Sequence, residues 1–300
     1  MLLLVDALRT IDERFKDLPG FPFEPNYLFD FPNFEGLRLH YLDEHRTGQL
    51  TYLCLHGQPT WSYLYRRMIP VFKAAGHRVV VPDLFGFGRS DKPIDEDVYT
   101  FDFHRNTLKH LIIALDLRNI VLVCQDWGGI LGLTLPMEFP SRFIGLFIMD
   151  TLIGIGDSPE KSFLEWLSYS NRTPDMDVGK LLSRACPHLT EGEAAAYNAP
   201  FPDARFKSGV RRFPNLVPKS PNDPGANISR QALEWLRTEW SGKSFMAIGM
   251  KDPVLSPESM HLLSSHIRNC LPPLEVAEAG HFVQEWGEEI ALAGIDTLAL

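Results

Sequence analysis

The chain has 300 residues, of which 45% are hydrophobic and 22% charged, and its formal net charge is −9. This length fits one α/β domain that carries an insertion. The acidic balance argues against a nucleic-acid partner, and no apolar run approaches the roughly 20 residues that span a membrane. The apolar start is interrupted at Asp6 and Arg9, too early for a signal peptide. We expect a cytoplasmic monomer with neither a membrane nor a nucleic-acid partner.

Strand-like and helix-like segments alternate along the first half of the chain. Apolar runs and alternating patterns predict strands over residues 36–44, 51–57, 77–83, 119–125 and 143–150. Apolar spacings of three and four predict helices over residues 62–76, 101–117 and 130–139. Regular alternation of this kind is typical of a mostly parallel sheet with helices on both faces.

The alternation stops after residue 150 and resumes near residue 243. Short helical patterns and many turn residues lie between, and two further strands and a terminal helix are predicted over residues 243–252, 271–281 and the C-terminus. A helical segment between two parts of one sheet is typical of a cap. We therefore expect a core formed by residues 1–151 and 222–300, with residues 152–221 as the cap.

Polar residues that could form a catalytic site follow several of the predicted strands. Asp126, Asp252 and His281 each come just after a strand, and ligands bind beyond the carboxyl ends of parallel strands. Their order matches the nucleophile, acid and histidine of α/β-hydrolases. Taken singly, Asp126 is also a helix N-cap, Asp252 a turn former before proline and His281 an ordinary loop histidine. Their joint occurrence in this order favours a triad.

An aspartate at the nucleophile position indicates a reaction that differs from serine chemistry. Asp126 needs no base before it attacks a saturated carbon and forms an ester with the enzyme. His281 would then activate a water that hydrolyses the ester, and Asp252 would orient the imidazole. The backbone N–H groups of Gln58 and Trp127 are the predicted oxyanion-hole donors. This chemistry requires no metal and no organic cofactor.

The tryptophans indicate what leaves in such a reaction. Trp127 follows the nucleophile, and an indole N–H only donates hydrogen bonds. A halide leaves as an anion and needs donors but no proton. Trp166 is the one tryptophan in the predicted cap, and it is either a second halide donor or a packing residue of the core.

The segments "HGQPTWSYLYRRMIP", "PDLFGFGRSDKP", "CQDWGGILGL", "SFLEW", "GMKDPVL" and "AGHFVQEWG" resemble haloalkane dehalogenases, over nearly the whole chain. The resemblance is to the subfamily whose second halide-binding tryptophan lies in the cap. It implies an α/β-hydrolase fold and hydrolysis of a haloalkane to a primary alcohol and halide. Asp126, His281 and Asp252 would be catalytic, and Trp127 and Trp166 would bind halide. The implied pocket residues are Ile130, Phe163, Phe213, Val217, Val254 and Leu255. Glutamate follows "HG" in the best-known pattern of the subfamily, where this chain has Gln58.

Three alternatives use parts of the same pattern. An epoxide hydrolase has the same nucleophile, with a cap tyrosine such as Tyr169 or Tyr197 as its acid. A fluoroacetate dehalogenase needs arginines beside the nucleophile, and "QDWGGILG" has none. A ligand-binding relative of these enzymes often lacks a triad member, whereas all three are present here. The expected partners are therefore a haloalkane, water and a halide ion.

Overall fold

A computed structural model describes residues 5–32 and 34–300. The apolar start Met1–Leu4, on which the prediction about a signal peptide partly depends, lies outside these residues. The strands are β1 (Ala7–Leu8), β2 (Asn26–Leu28), β3 (Leu39–Glu44), β4 (Thr51–Leu55), β5 (Arg78–Pro82), β6 (Lys92–Pro93), β7 (Ile120–Gln125), β8 (Phe143–Met149), β9 (Lys243–Gly249) and β10 (Leu274–Val276).

Eight of these strands form one mostly parallel sheet, in the order β10-β9-β8-β7-β4-β5-β3-β2. The pairs from β10 to β5 are parallel, whereas β3 pairs antiparallel with both β5 and β2. Every residue of β4 and β7 is buried, because central strands of such a sheet are covered by helices on both faces. The parallel sheet predicted from the sequence is confirmed. A separate two-stranded sheet joins β1 and β6.

The described residues contain ten α-helices. They are α1 (Ile69–Ala74), α2 (Phe101–Ala114), α3 (Trp127–Gly132), α4 (Lys161–Arg172), α5 (Val178–Ala185), α6 (Glu191–Ala196), α7 (Ser208–Leu216), α8 (Ala226–Thr238), α9 (Pro257–His266) and α10 (Gly287–Leu298). None of the helices among residues 5–32 and 34–300 combines the length and the apolar character that a membrane crossing requires.

Two helices differ from their sequence predictions. The segment predicted as one helix over 62–76 contains a 3₁₀ turn, Ser62–Tyr65, and then α1, which begins next to Pro70. The helix predicted over 130–139 is instead α3, which begins three residues earlier and ends at Gly132. Apolar periodicity reports burial, so a buried turn and a short buried helix carry the same pattern as a longer helix.

Five helices, α4 to α8, lie between β8 and β9, where the sequence predicts no strand. α8 was not predicted, and it begins after the expected end of the cap at residue 221. The helices α4 to α7 fall within the expected cap. The insertion therefore begins at the carboxyl end of β8, on the same edge of the sheet as the turn after β7.

Candidate active site

Asp126 occupies a strained turn between β7 and α3. Its backbone has φ 49° and ψ −123°, and a positive φ is rare in residues other than glycine, although aspartate tolerates it better than most. A Cβ at Gly128 would lie 2.0 Å from the carbonyl oxygen of Leu55 on β4, so the turn requires glycine there. This sharp strand–turn–helix arrangement is the geometry of a nucleophile elbow, which presents its side chain above the sheet.

The loop after β4 lies directly against the carboxylate of Asp126. The backbone N–H of Gln58 donates to Oδ1 of Asp126 at 2.7 Å. A Cβ at Gly57 would lie 2.2 Å from the same oxygen, so only glycine allows this approach. Trp127 is the first residue of α3, where a backbone N–H has no partner within the helix. The structure thus places both predicted oxyanion-hole residues next to the carboxylate.

His281 is held by the carboxylate of Asp252. Nδ1 of His281 lies 2.7 Å from Oδ2 of Asp252. The other oxygen, Oδ1, accepts from the backbone N–H groups of Val254 at 2.7 Å and Leu255 at 3.1 Å, and the Asp252 side chain is fully buried. Because a carboxylate only accepts hydrogen bonds, the proton of a neutral imidazole resides on Nδ1. Nε2 is then the basic nitrogen.

The basic nitrogen of His281 faces the nucleophile. Nε2 of His281 lies 3.7 Å from Oδ2 of Asp126, which is too long for a hydrogen bond but close enough for strong electrostatic interaction. Nε2 of Gln125 donates to the backbone carbonyl of His281 at 3.0 Å, so the residue before the nucleophile also holds the histidine loop. The structure therefore brings together the three side chains that the sequence predicts as a triad.

Opposing effects act on the pKa of His281. Burial alone lowers the pKa of His281, but the negative charges of Asp252 and Asp126 and the hydrogen bond between the ring and Asp252 outweigh that effect. The net effect raises the pKa of His281 well above its usual range. The protonated imidazole is consequently favoured as long as both carboxylates are charged.

We expect Asp126→Asn to lower the pKa of His281. The charge 3.7 Å away favours the protonated ring, so its removal favours the neutral ring. An alkyl ester on Asp126 is also uncharged, so formation of the ester would favour the neutral form of His281, which is the form that can accept a proton from water. NMR titration of the His281 ring measures its pKa. Asp116→Asn is the control, because Asp116 is an exposed carboxylate that precedes β7, whereas Asp126 follows it. Equal pKa values in the three proteins would contradict the prediction.

The triad faces a cavity of 680 Å³, a volume typical of small-molecule sites. Most of the predicted pocket residues line it, namely Ile130, Phe163, Val217, Val254 and Leu255. Phe213, which was predicted as a sixth, is not among the lining residues. Its ring instead packs against Trp127, with 4.9 Å between the centroids, so Phe213 supports the wall of the cavity from behind.

Sequence reasoning missed other residues of the wall. The apolar ones include Leu152, Leu181, Pro214, Phe282 and Trp286, and the charged or titratable ones are Arg184, His188, Lys251 and Glu278. Phe282 is adjacent to His281, which was the one signal available. The others come from α5, α7 and four separate connections, and no spacing in the sequence shows that these segments meet.

Both predicted halide ligands line the same cavity. Trp127 is almost fully buried, and Trp166 lies on α4 with its ring 5.8 Å from that of Tyr169. In residues 5–32 and 34–300, neither indole N–H donates to another protein group, in contrast to Trp240, which donates to Ser244 at 2.9 Å. Two free donors therefore border a cavity whose wall is largely apolar.

The tyrosines suggested as acids for an epoxide hydrolase lie elsewhere. Tyr197 is fully buried and its hydroxyl group is hydrogen-bonded to Glu285. Tyr169 packs against Trp166 without reaching the cavity wall. Within the described part of the chain, no tyrosine lines the cavity, so the structure offers no phenolic acid for opening an epoxide.

The chain is similar to known proteins in both its sequence and its fold. Residues 53–288 match the family model described as the alpha/beta hydrolase fold. Haloalkane dehalogenase of Psychrobacter cryohalolentis is 41% identical over 295 residues, which cover 95% of each chain. Haloalkane dehalogenase 1 of Mycobacterium tuberculosis is 40% identical over 294 residues, which cover 96% of this chain and 97% of the relative.

A solved haloalkane dehalogenase from Paraglaciecola agarilytica, described as tetrameric, is 50% identical with a TM-score of 0.97. The match covers 99% of this chain and 100% of that one. Fold and site together define an α/β-hydrolase with a carboxylate at its nucleophile elbow. The chain belongs to the haloalkane dehalogenase family. The predicted fold class and family are thereby confirmed.

Proposed function

We propose that this chain hydrolyses haloalkanes to alcohols and halide ions through an alkyl ester on Asp126. One observation carries the proposal: a carboxylate stands at the nucleophile elbow, 3.7 Å from a histidine and within an apolar cavity. A serine there would need a base before it attacked, whereas a carboxylate attacks saturated carbon directly. The family to which the chain belongs supports the same reaction.

In the first step, Asp126 displaces the halide. Oδ1 is engaged by the N–H of Gln58, so Oδ2 is the oxygen free to attack the carbon that carries the halogen. A carbon–oxygen bond forms as the carbon–halogen bond breaks, and the bonding electron pair leaves with the halide. No proton is transferred in this step, so His281 is not required.

In the second step, water hydrolyses the ester. Nε2 of His281 takes a proton from water, whose oxygen attacks Cγ of Asp126, and the charge that develops on Oδ1 is stabilised by the N–H groups of Gln58 and Trp127. The intermediate collapses with release of the alcohol, which receives the proton from His281. The hydroxyl group that water added to Asp126 loses its proton to the solvent, and this regenerates the carboxylate. Asp252 orients the ring and stabilises its charged form.

The halide is held between the two free indole donors, Trp127 beside the nucleophile and Trp166 on α4. Both indole rings line the cavity. A halide ion bound there would satisfy two N–H donors that have no acceptor within the protein, and hydrogen bonds to a charged group are stronger than those between neutral groups. The position of Trp166 on α4 supports the proposal that the chain belongs to the subfamily with the second tryptophan in the cap. Gln58 does not join this donor pair.

We expect Trp166→Phe to weaken bromide binding and to slow carbon–halogen cleavage. The loss of one donor to a buried anion corresponds to about 1.5–3 kcal/mol, or roughly ten- to a hundredfold. Saturable quenching of tryptophan fluorescence by bromide measures binding, and Trp235→Phe, on α8 away from the cavity, is the control. Wild-type binding in Trp166→Phe would show that the second ligand is misassigned.

Two assays test the function against its alternatives. A pH indicator follows halide release from 1-bromobutane, and a parallel assay measures turnover of styrene oxide. The proposal predicts release of halide and no turnover of the epoxide. Turnover of styrene oxide without halide release would favour an epoxide hydrolase, for which neither the cavity wall nor the relatives provide support. A protein that binds bromobutane and releases no halide would be a ligand-binding relative.

The proposal also includes the boundaries of the core and the cap and the oligomeric state of the chain. We assign residues 1–151 and 222–300 to the catalytic core and residues 152–221 to the cap, which supplies Phe163, Trp166 and Val217 to the cavity. The expected monomer stays a prediction, and the relative from P. agarilytica is described as tetrameric. Light scattering on the purified chain distinguishes the two states. The cytoplasmic location also stays a prediction.

A further inference from the structure

Helix α7 contains a proline that leaves one of its own carbonyl groups without a helical partner. α7 spans Ser208–Leu216, with Pro214 inside it. In an α-helix the N–H of residue 214 would donate to the carbonyl of residue 210, but proline has no N–H. The carbonyl of Val210, a residue that is only 1% exposed, must find another donor or remain unsatisfied, which is costly in a buried position.

The side chain of Gln58 supplies that donor. Nε2 of Gln58 donates to the carbonyl oxygen of Val210 at 2.9 Å. Of the two ends of an amide, only the NH₂ group can face a carbonyl oxygen, so this contact determines which way the amide is turned. Oε1 of Gln58 then points away from α7. Gln58 also lines the cavity, next to the carboxylate that its own backbone N–H contacts.

We propose that Pro214 and Val210 are positioning residues: the carbonyl that Pro214 leaves free holds the amide nitrogen of Gln58, so that the amide oxygen is directed into the cavity. Gln58 thus presents a neutral acceptor to the cavity. An acceptor repels a halide but receives a hydrogen bond from water, so the amide acts in ester hydrolysis and not in halide binding. The inference rests on the proposed function.

The contact changes what is expected of Gln58→Glu. From the sequence alone, this substitution is expected to be tolerated, because the oxyanion-hole donor at residue 58 is the backbone N–H. The structure adds a side-chain role, and a carboxylate has no hydrogen to donate to Val210. Two acceptors would then face each other in a buried position, and the side chain would be displaced.

A double-mutant cycle tests the proposal, with Gln58→Glu, Pro214→Ala and the two combined. Pro214→Ala restores a backbone N–H that can donate to the carbonyl of Val210, so the carboxylate introduced by Gln58→Glu is no longer forced against an unsatisfied carbonyl. We expect Gln58→Glu to lower steady-state turnover of 1-bromobutane by more than about tenfold in the Pro214 background, and by less than about threefold relative to Pro214→Ala alone. The first burst of bromide should be unchanged, because the amide acts after halide displacement.

Two further variants keep the test decisive if Pro214→Ala does not fold. Gln58→Asn retains an amide but is too short to reach Val210, so we expect the same loss of turnover with an intact burst. Ser162→Ala is the matched control, because Ser162 makes another side-chain contact to a main-chain carbonyl, that of Val254 at 2.9 Å. It should turn over as the wild type does.

The outcomes separate the inference from the function on which it rests. Equal losses for Gln58→Glu in both backgrounds, or full turnover by Gln58→Asn, would overturn the positioning role. A weaker bromide quench in Gln58→Asn would also overturn it, because the side chain would then belong to the halide site. If the wild type itself releases no halide, the proposed function fails instead.

Discussion

His281→Gln is expected to release one equivalent of bromide per chain and then stop. Asp126 needs no deprotonation and the halide needs no proton, so the first step proceeds without the histidine. The second step loses its base, and the alkyl ester accumulates. Removal of the histidine from a serine hydrolase blocks both steps, so the burst is diagnostic of a carboxylate nucleophile.

Rapid-quench halide assays and intact-protein mass spectrometry measure the two parts of this prediction. The variant incubated with 1-bromobutane should gain the mass of a butyl group, and peptide mapping should locate it on Asp126. His261→Gln, which removes a partly exposed histidine on α9, should turn over normally. A His281→Gln protein that binds bromide yet shows neither burst nor mass gain would mean that the histidine acts during displacement.

Asp126→Asn is expected to abolish halide release while the fold and bromide quenching persist. A neutral amide is a poor nucleophile, and removal of a central catalytic group typically costs about 10⁴-fold or more. Asparagine suits this position structurally, because it tolerates the positive φ of 49° better than alanine does. The loss therefore reports chemistry and not strain in the elbow.

The measurement requires freshly purified protein, because deamidation of the introduced asparagine would regenerate the aspartate with a mass gain of about one unit. Circular dichroism and the bromide quench establish that the variant is folded and retains its halide site. Asp116→Asn serves as the matched control and should retain full turnover. Wild-type halide release by an Asp126→Asn sample shown by mass to be intact would end the assignment of the nucleophile.

Predictions from local sequence succeeded where a hydrophobic pattern is compatible with only one kind of secondary structure. The buried runs that became β4, β7 and β8 were recognised because central strands of a parallel sheet are apolar on both faces. Boundaries were less well predicted. The helix expected over 130–139 is the shorter α3, and α8 and α9 were not predicted, since their apolar residues contact the core along narrow faces.

The types and order of a few residues were enough to predict the catalytic chemistry of this protein. Residues that follow parallel strands meet at one edge of the sheet, so the order of Asp126, Asp252 and His281 was enough to predict where they would lie. The packing of Phe213 against Trp127 behind the cavity wall and the hydrogen bond from Gln58 to a carbonyl on α7 became evident only in the folded chain. Those contacts join segments more than 80 residues apart, and which side chains of such segments meet depends on packing that no local pattern encodes.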